Sequence, residues 1–364
     1  MKNTFGSCLS ITLFGESHQE AIGCVMDGLP AGIKLDVSFI HEQLQRRRPQ
    51  GEISTKRVEQ DSFKIISGFF NGYTTGSPMT ILIENRDVKS EDYKSNLIRP
   101  SHVDYVAECK YQGYQDYRGS GHFSGRLTAP LVIAGAICLQ LLKNIDIEIA
   151  SHILKIKDIQ DDGFQFEHLA QQMKRCNTSF NVLNQDIKEA MIQEITKAKE
   201  QCDSVGGVIE SIIVGLKPGV GEPFFDSIES VISHLLFSIP AVKGVQFGLG
   251  FSFSDYYGSQ VRDEYQYIDH KVVTTSNYNG GIHGGLSNGM PITIQSVIKP
   301  TSSIERPFSS IDLTTKENIK TSIQGRHDPC IVHRAVVVVD SMLAIAVVDL
   351  LLQEYGRELF RVVK

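Results

Sequence analysis

The chain has 364 residues, 41% hydrophobic and 21% charged, with a net charge of −6 and a pI near 6.0. That length suits one large domain or two ordinary ones, and the acidic balance speaks against general nucleic-acid or anionic-membrane binding. Seven irregularly spaced cysteines without a Cys-x-x-Cys pair form neither a zinc pattern nor a disulfide framework. Reduced thiols in a cytoplasmic protein are expected; residues 1–14 lack a signal-peptide pattern, and the longest apolar run, 131–142, is too short to span a bilayer.

In chain order, residues 7–14 and 21–28 read as strands flanking Gly15-Glu16-Ser17-His18. A helix is expected over 37–48, capped by Asp36 or Ser38 and stopped by Pro49, with Arg46, Arg47 and Arg48 in its last turn. Residues 62–67 and 78–84 read as strands. Residues 129–143 read as a helix apolar most of the way round, hence central and buried, with Thr128 as a possible cap and Pro130 in its first turn. A strand over 147–156 precedes a helix whose stripe is Ile187, Met191, Ile195 and Ala198. Strands over 207–216, 245–253 and 291–299 surround a helix capped by Asp226 that contains Ile228, Val231, Ile232, Leu235 and Leu236. The chain ends in a strand over 335–339 and a helix over 340–355. Strands come in consecutive pairs without regular helical alternation. That favours an α+β fold over a doubly wound parallel sheet, and no linker or repeat divides it, so one large domain is expected over 1–364.

Four polar clusters sit at the ends of apolar segments: residues 15–18, the three arginines, Arg99-Pro100-Ser101-His102, and Gly325-Arg326-His327-Asp328-Pro329. Protonatable imidazoles beside fixed positive charge suit a small, multiply anionic substrate and acid–base chemistry. Ser17 lacks the second glycine of a hydrolase elbow, because Gln19 stands there, and the simpler reading is a polar turn. The arginines splay by about 100° each on a helix, so at most one or two face one pocket. Residues 117–126 form a glycine-rich loop leading into a helix N-terminus, suited to an anion, yet neither a Walker A loop nor a dinucleotide fingerprint. Residues 277–285 carry two glycine pairs, which indicates a tight loop under a ligand or at a subunit contact. Lys299 to Ser303 offers an ammonium and hydroxyls to a phosphate. Asp328 between Arg and His reads either as a fixed base or as an internal salt bridge.

Taken in order, nine such stretches from Gly15 to Cys330 resemble chorismate synthase along nearly the whole chain. The resemblance implies a lyase, the last enzyme of the shikimate pathway to aromatic amino acids. It converts 5-enolpyruvylshikimate 3-phosphate to chorismate and phosphate by 1,4-anti elimination, using reduced FMN with no net redox change. It further implies antiparallel sheets packed with outer helices, as a β-α-β sandwich, and a homotetramer. The family associates the reaction with NADPH; with no nicotinamide fingerprint in the sequence, an external flavin reductant is expected. By resemblance His18 serves the reduced flavin, His102 protonates the departing phosphate, and Asp328 assists proton removal near flavin N5. Arg48, Arg126 and Arg326 match substrate-contacting arginines. Ser124, Arg126, Asn277, Gly284, Lys299, Thr301, Ser302 and Arg326 match flavin contacts. The sequence departs from the family pattern at Gln19, His122, Phe123, Gly125, Leu127 and His333, and offers Lys56 or Arg57 where a further arginine is common. The other readings are a Ser17/His18 phosphatase or hydrolase, and a flavin- or phosphate-binding protein without turnover.

Overall fold

A computed structural model describes residues 2–49, 51, 53, 54, 60–86, 93, 95–323 and 327–361. Strands β1 (Thr4–Phe5), β2 (Ser10–Gly15) and β3 (Ala21–Asp27) form an antiparallel meander. Helix α1 (Val37–Arg47) follows, its N-terminus capped by Asp36, whose carboxylate accepts from the Ser38 and Phe39 amides. After β4 (Phe63–Ile65), the small hairpin β5 (Phe69–Phe70) and β6 (Tyr73–Thr74) leads to β7 (Met79–Glu84). The first sheet has the order β1-β2-β3-β7-β4. Helix α2 (Asp104–Tyr111), two 3₁₀ turns (Arg118–Phe123 and Gly125–Leu127) and helix α3 (Thr128–Lys143) complete this half.

The second half opens with β8 (Glu148–Ile156), β9 (Ile159–Gln160), α4 (Leu169–Arg175) and α5 (Gln185–Glu200). It continues through β10 (Gly207–Val214), α6 (Ile228–Ser238) and β11 (Val242–Phe247). Two hairpins, β12 (Tyr265–Ile268) with β13 (Lys271–Thr274) and β14 (Ile282–His283) with β15 (Leu286–Ser287), precede β16 (Ile292–Ile298). A last hairpin, β17 (Phe308–Asp312) with β18 (Glu317–Thr321), leads to α7 (Val332–Tyr355). The second sheet has the order β11-β16-β10-β8-β9, again antiparallel at every pair.

The α+β reading holds, with the two antiparallel sheets in a β-α-β sandwich. Helix α3 packs on β3 and β7 of the first sheet, and α7 on β8 and β10 of the second, with α3 and α7 in extensive contact. The main helices therefore lie between the sheets, while α4 covers the outer face of the second sheet through Leu169 and Met173. The cause is composition: α3 and α7 are apolar all round and need cover on every side. By length and composition α7 could cross a bilayer, with 24 residues and a mean hydropathy of 2.5, but its apolar window is wholly buried inside the protein.

Four further expectations are corrected. Residues 335–339 are not a strand but the first turns of α7, because the surrounding layers bury all four valines, Val336 to Val339, in a helix. Ser227, not Asp226, caps α6, its hydroxyl accepting from the Ser230 amide at 3.1 Å. The strand expected over 245–253 ends at Phe247, where Gly248 and Gly250 turn the chain with positive φ into a 3₁₀ helix. Thr128 is not a cap; its hydroxyl lies inside the helix start, donating to the Gly125 carbonyl at 2.6 Å.

Candidate active site

The end of α1 distributes its three arginines as helical splay requires. Arg46 turns inward to Asp340 at 3.1 Å, where burial pushes the Asp340 carboxyl up and Arg46 opposes that shift. Arg47 donates to the Thr128 hydroxyl at 2.8 Å, the Gly125 carbonyl at 2.8 Å and Asp61 at 3.3 Å. Arg48 leaves the helix in extended conformation, and its Nε is buried without a hydrogen-bond partner. Arg126 is also buried; it pairs with Asp61 and donates to the Asn85 amide oxygen at 3.1 Å. Ser124 caps the turn ahead of it, accepting from the Arg126 amide at 3.3 Å.

Arg47, Arg48, Asp61, Ser124 and Arg126 line a cavity of about 260 Å³, from which Arg46 is absent. Arg47, Arg48, Arg126 and Arg334 contribute four guanidinium groups against the carboxylates of Asp61 and Asp328. Ile239, Ile331 and Val338 form an apolar wall. A net positive cavity partly shielded from solvent holds a polyanion more firmly than an open surface does. Asp328 pairs with Arg334 at 2.5 Å, and Arg334 also donates to the Arg47 carbonyl at 3.0 Å. The salt-bridge reading of Asp328 is therefore realised, at the cavity wall.

His18 is buried, with its Nδ1 2.8 Å from the Ser17 hydroxyl. That hydroxyl in turn donates to the Gly119 carbonyl at 3.2 Å. Its single proton is thus committed, and it accepts from His18 Nδ1–H. A nucleophilic serine needs the opposite polarity, so this geometry argues against the hydrolase reading. Gly119 has φ of +56°, and a Cβ there would lie 2.2 Å from His18 Cε1, so only glycine lets this loop reach the histidine.

Loop 117–126 joins the two histidines, since Ser120 lies 3.5 Å from His102 Nε2. Lys299 and Ser302 both donate to the Ser101 carbonyl, at 2.7 and 3.0 Å, and Thr301 donates to the Asp328 carbonyl at 2.9 Å. The segment 299–303 therefore ties the His102 loop to Asp328. His327 beside it has a buried Nε2 without a partner; burial pushes its imidazole down, Glu305 opposes this and Arg99 reinforces it. Arg326, Lys56 and Arg57 lie outside the described residues.

Asn277 and Gly284 stand apart from this assembly. Asn277 donates to the Pro291 carbonyl at 2.8 Å, next to the start of β16, whereas Lys299 follows its end. A strand of that length separates them by on the order of 20 Å within one chain. The departures from the family pattern are accommodated locally. Gln19 donates to Asp116 at 3.1 Å, and His122 Nδ1 meets the Gly15 carbonyl at 2.8 Å. His333 meets the Ser54 hydroxyl at 2.8 Å and stacks on Phe180. Residues that sequence reasoning did not assign a role are Asp61, Asn85 and Arg334; Arg334 stands close after the 325–329 cluster, but only the fold shows that it pairs with Asp328 or brings Asp61 and Asn85 to the site.

A two-sheet antiparallel fold with helices inside, and an arginine-lined cavity flanked by histidines, defines an enzyme of small anionic metabolites. The chorismate synthase family profile matches residues 9–352. A chorismate synthase of Korarchaeum cryptofilum is 42% identical over 348 residues, covering 95% of this chain and 96% of that protein. One of Thermococcus kodakarensis is 42% identical over 355 residues, covering 97% and 98%. A crystal structure of chorismate synthase superposes with a TM-score of 0.76 at 28% identity, covering 97% of this chain and 94% of the other. The chain belongs to the chorismate synthase family. Its activity is that of a carbon–oxygen lyase releasing phosphate from 5-enolpyruvylshikimate 3-phosphate to form chorismate, in a family that uses reduced flavin.

Proposed function

We propose that this chain binds reduced FMN and 5-enolpyruvylshikimate 3-phosphate together in and beside the arginine-lined cavity. The observation that carries the reading is four guanidinium groups around one cavity, with Arg48 Nε buried and unpartnered. That residue set fits a phosphorylated flavin beside a substrate with two carboxylates and a phosphate. When bound, reduced flavin supplies electron density to the reacting centre and is restored at each turnover.

In this reading Arg48, Arg126 and Arg326 hold the substrate anions. Ser124, Arg126, Lys299, Thr301, Ser302 and Arg326 hold the flavin. His18, oriented through Nδ1 by Ser17, exchanges a proton with the flavin. His102 protonates the departing phosphate, and Asp328, steadied by Arg334, assists proton removal. Asn277 and Gly284 reach a flavin only from a second copy of the chain, which accords with a homotetramer. Exposed aromatic side chains near that end of the second sheet, among them Phe224, Phe225 and Tyr257, support self-association. We further propose that residues 1–364 fold as one unit around the shared helical layer. We also propose that the enzyme works in the cytoplasm and takes its flavin from an external reductant.

The test is substitution. His102→Ala and Asp328→Ala should each lower turnover by about 10²–10⁴-fold while substrate still binds. Near-parental rates would overturn the assigned roles.

A further inference from the structure

Asp104, two residues beyond His102, opens helix α2 with its side chain turned back toward the loop that precedes it. One oxygen, Oδ1, lies 2.9 Å from His102 Nδ1 and accepts from an Arg99 terminal nitrogen at 2.7 Å. The other, Oδ2, accepts from Arg99 Nε at 2.8 Å and from the Arg99 amide at 2.9 Å. Four interactions fill the acceptor sites of one carboxylate, so the group has no capacity left for another partner. Arg99 is itself held by Ser120 at 3.2 Å and Ser303 at 3.3 Å, both on loops of the candidate site. The guanidinium is thus locked in place, and it locks the carboxylate.

We propose that Asp104 is a positioning residue for the elimination: it fixes His102 as the Nδ1–H tautomer, so that only Nε2 can deliver a proton. Burial alone would raise the Asp104 carboxyl, but Arg99 and then His102 outweigh burial and hold it far below the ordinary carboxylate range. An ionised carboxylate only accepts, so the proton between the two groups belongs to Nδ1. Nε2 then faces Ser120 and, beyond it, the glycine-rich loop. The ring cannot rotate without breaking a hydrogen bond to a carboxylate that has no freedom to follow. Arg99 cancels the charge of Asp104, so a protonated His102 leaves the trio with one net positive charge, suited to a departing phosphate. The orientation of a catalytic imidazole by a buried carboxylate is a general solution to the tautomer problem.

This inference rests on the role proposed above for His102, and the test separates the two. Histidine labelled with ¹⁵N would be incorporated into the parent, His102→Ala and Asp104→Asn, the first variant serving to assign the resonance. In the unliganded parent, neutral His102 should show a protonated Nδ1 and an unprotonated Nε2. Asp104→Asn presents either an oxygen or an NH₂ to Nδ1, and should give mixed tautomers. Its kcat should fall by roughly 10–100-fold with KM for the substrate within about twofold, less than full loss of the acid. Asp104→Glu should restore the single tautomer and most of the rate, which a merely structural defect would not allow. If Asp104→Asn lowers stability too far to study, the tautomer in the parent and in Asp104→Glu still decides the matter. A parental Nε2–H tautomer, or a single Nδ1–H tautomer with parental kcat in Asp104→Asn, overturns the proposal. A parental rate in His102→Ala overturns the acid role itself and the proposal with it.

Discussion

Gly119 shows how narrowly one residue can be constrained. An alanine there would place a methyl group 2.2 Å from His18 Cε1 and 2.3 Å from the Ser17 hydroxyl, in backbone with φ of +56°. Gly119→Ala should cost about 1–2 kcal/mol in denaturant unfolding from the left-handed backbone alone, and should displace His18 enough to depress turnover. Asp61 carries a larger load. It is buried between Arg47 and Arg126, so Asp61→Ala removes a buried counter-charge that both guanidinium groups share and should cost about 3–5 kcal/mol by the same measurement. His333 provides a pH test. Burial pushes its imidazole down to about 3, Arg334 adding to the effect. The unfolded chain therefore takes up a proton below the ordinary value of 6.5 that the folded chain refuses until about 3. Stability contributed by the neutral ring is present above the unfolded value and is lost as pH falls, by up to about 1.4 kcal/mol per pH unit. His333→Gln should flatten the loss of stability between neutrality and about pH 4; an unchanged slope would contradict this account of the site.

At the scale of elements, the helical layer depends on close approach of α3 and α7. A Cβ on Gly135 would stand 2.2 Å from the Ser341 Cβ and 2.3 Å from its Cα, so Gly135→Ala should cost about 1–3 kcal/mol in denaturant unfolding, and Ser341→Gly should not restore it because the backbone contact remains. This contact is not legible in the sequence, where Gly135 is one small residue in an apolar helix. The helix itself is legible, because Ala129 to Lys143 is too long and too evenly apolar for a strand. By contrast, Val336 to Val339 read as a strand because β-branched runs fit a pleated surface. Complete burial removed the periodicity that separates helix from strand, and only the length of the segment to Tyr355 carried the helical signal. Amphipathic α1 and α5 kept their periodicity, and both stand where the pattern put them.

Across the whole molecule, the site was legible as clusters but not as a geometry. Arg48, Ser124, Arg126 and Asp328 line one cavity, and His18, His102 and Lys299 are tied to it through hydrogen-bonded loops. The counter-charges Asp61 and Arg334 were hidden because an isolated charged residue carries no pattern. The loop bearing Asn277 and Gly284 lies at the far end of β16, so a complete flavin site under this reading requires assembly. Phe224 and Phe225 are 87% and 90% exposed and belong to the surface expected to close against another copy. Replacing both by serine should shift sedimentation toward smaller species and weaken flavin binding together; loss of neither would contradict an aromatic subunit contact at this end.

The most direct measurement is anaerobic. Protein, photoreduced FMN and 5-enolpyruvylshikimate 3-phosphate are mixed, and chorismate absorbance, phosphate and flavin oxidation state are followed together. Chorismate and phosphate should form in equal amounts over many turnovers, with the flavin still reduced at the end and no turnover without it. Phosphate without chorismate, or product formation without reduced flavin, would rule out a flavin-dependent elimination in this site.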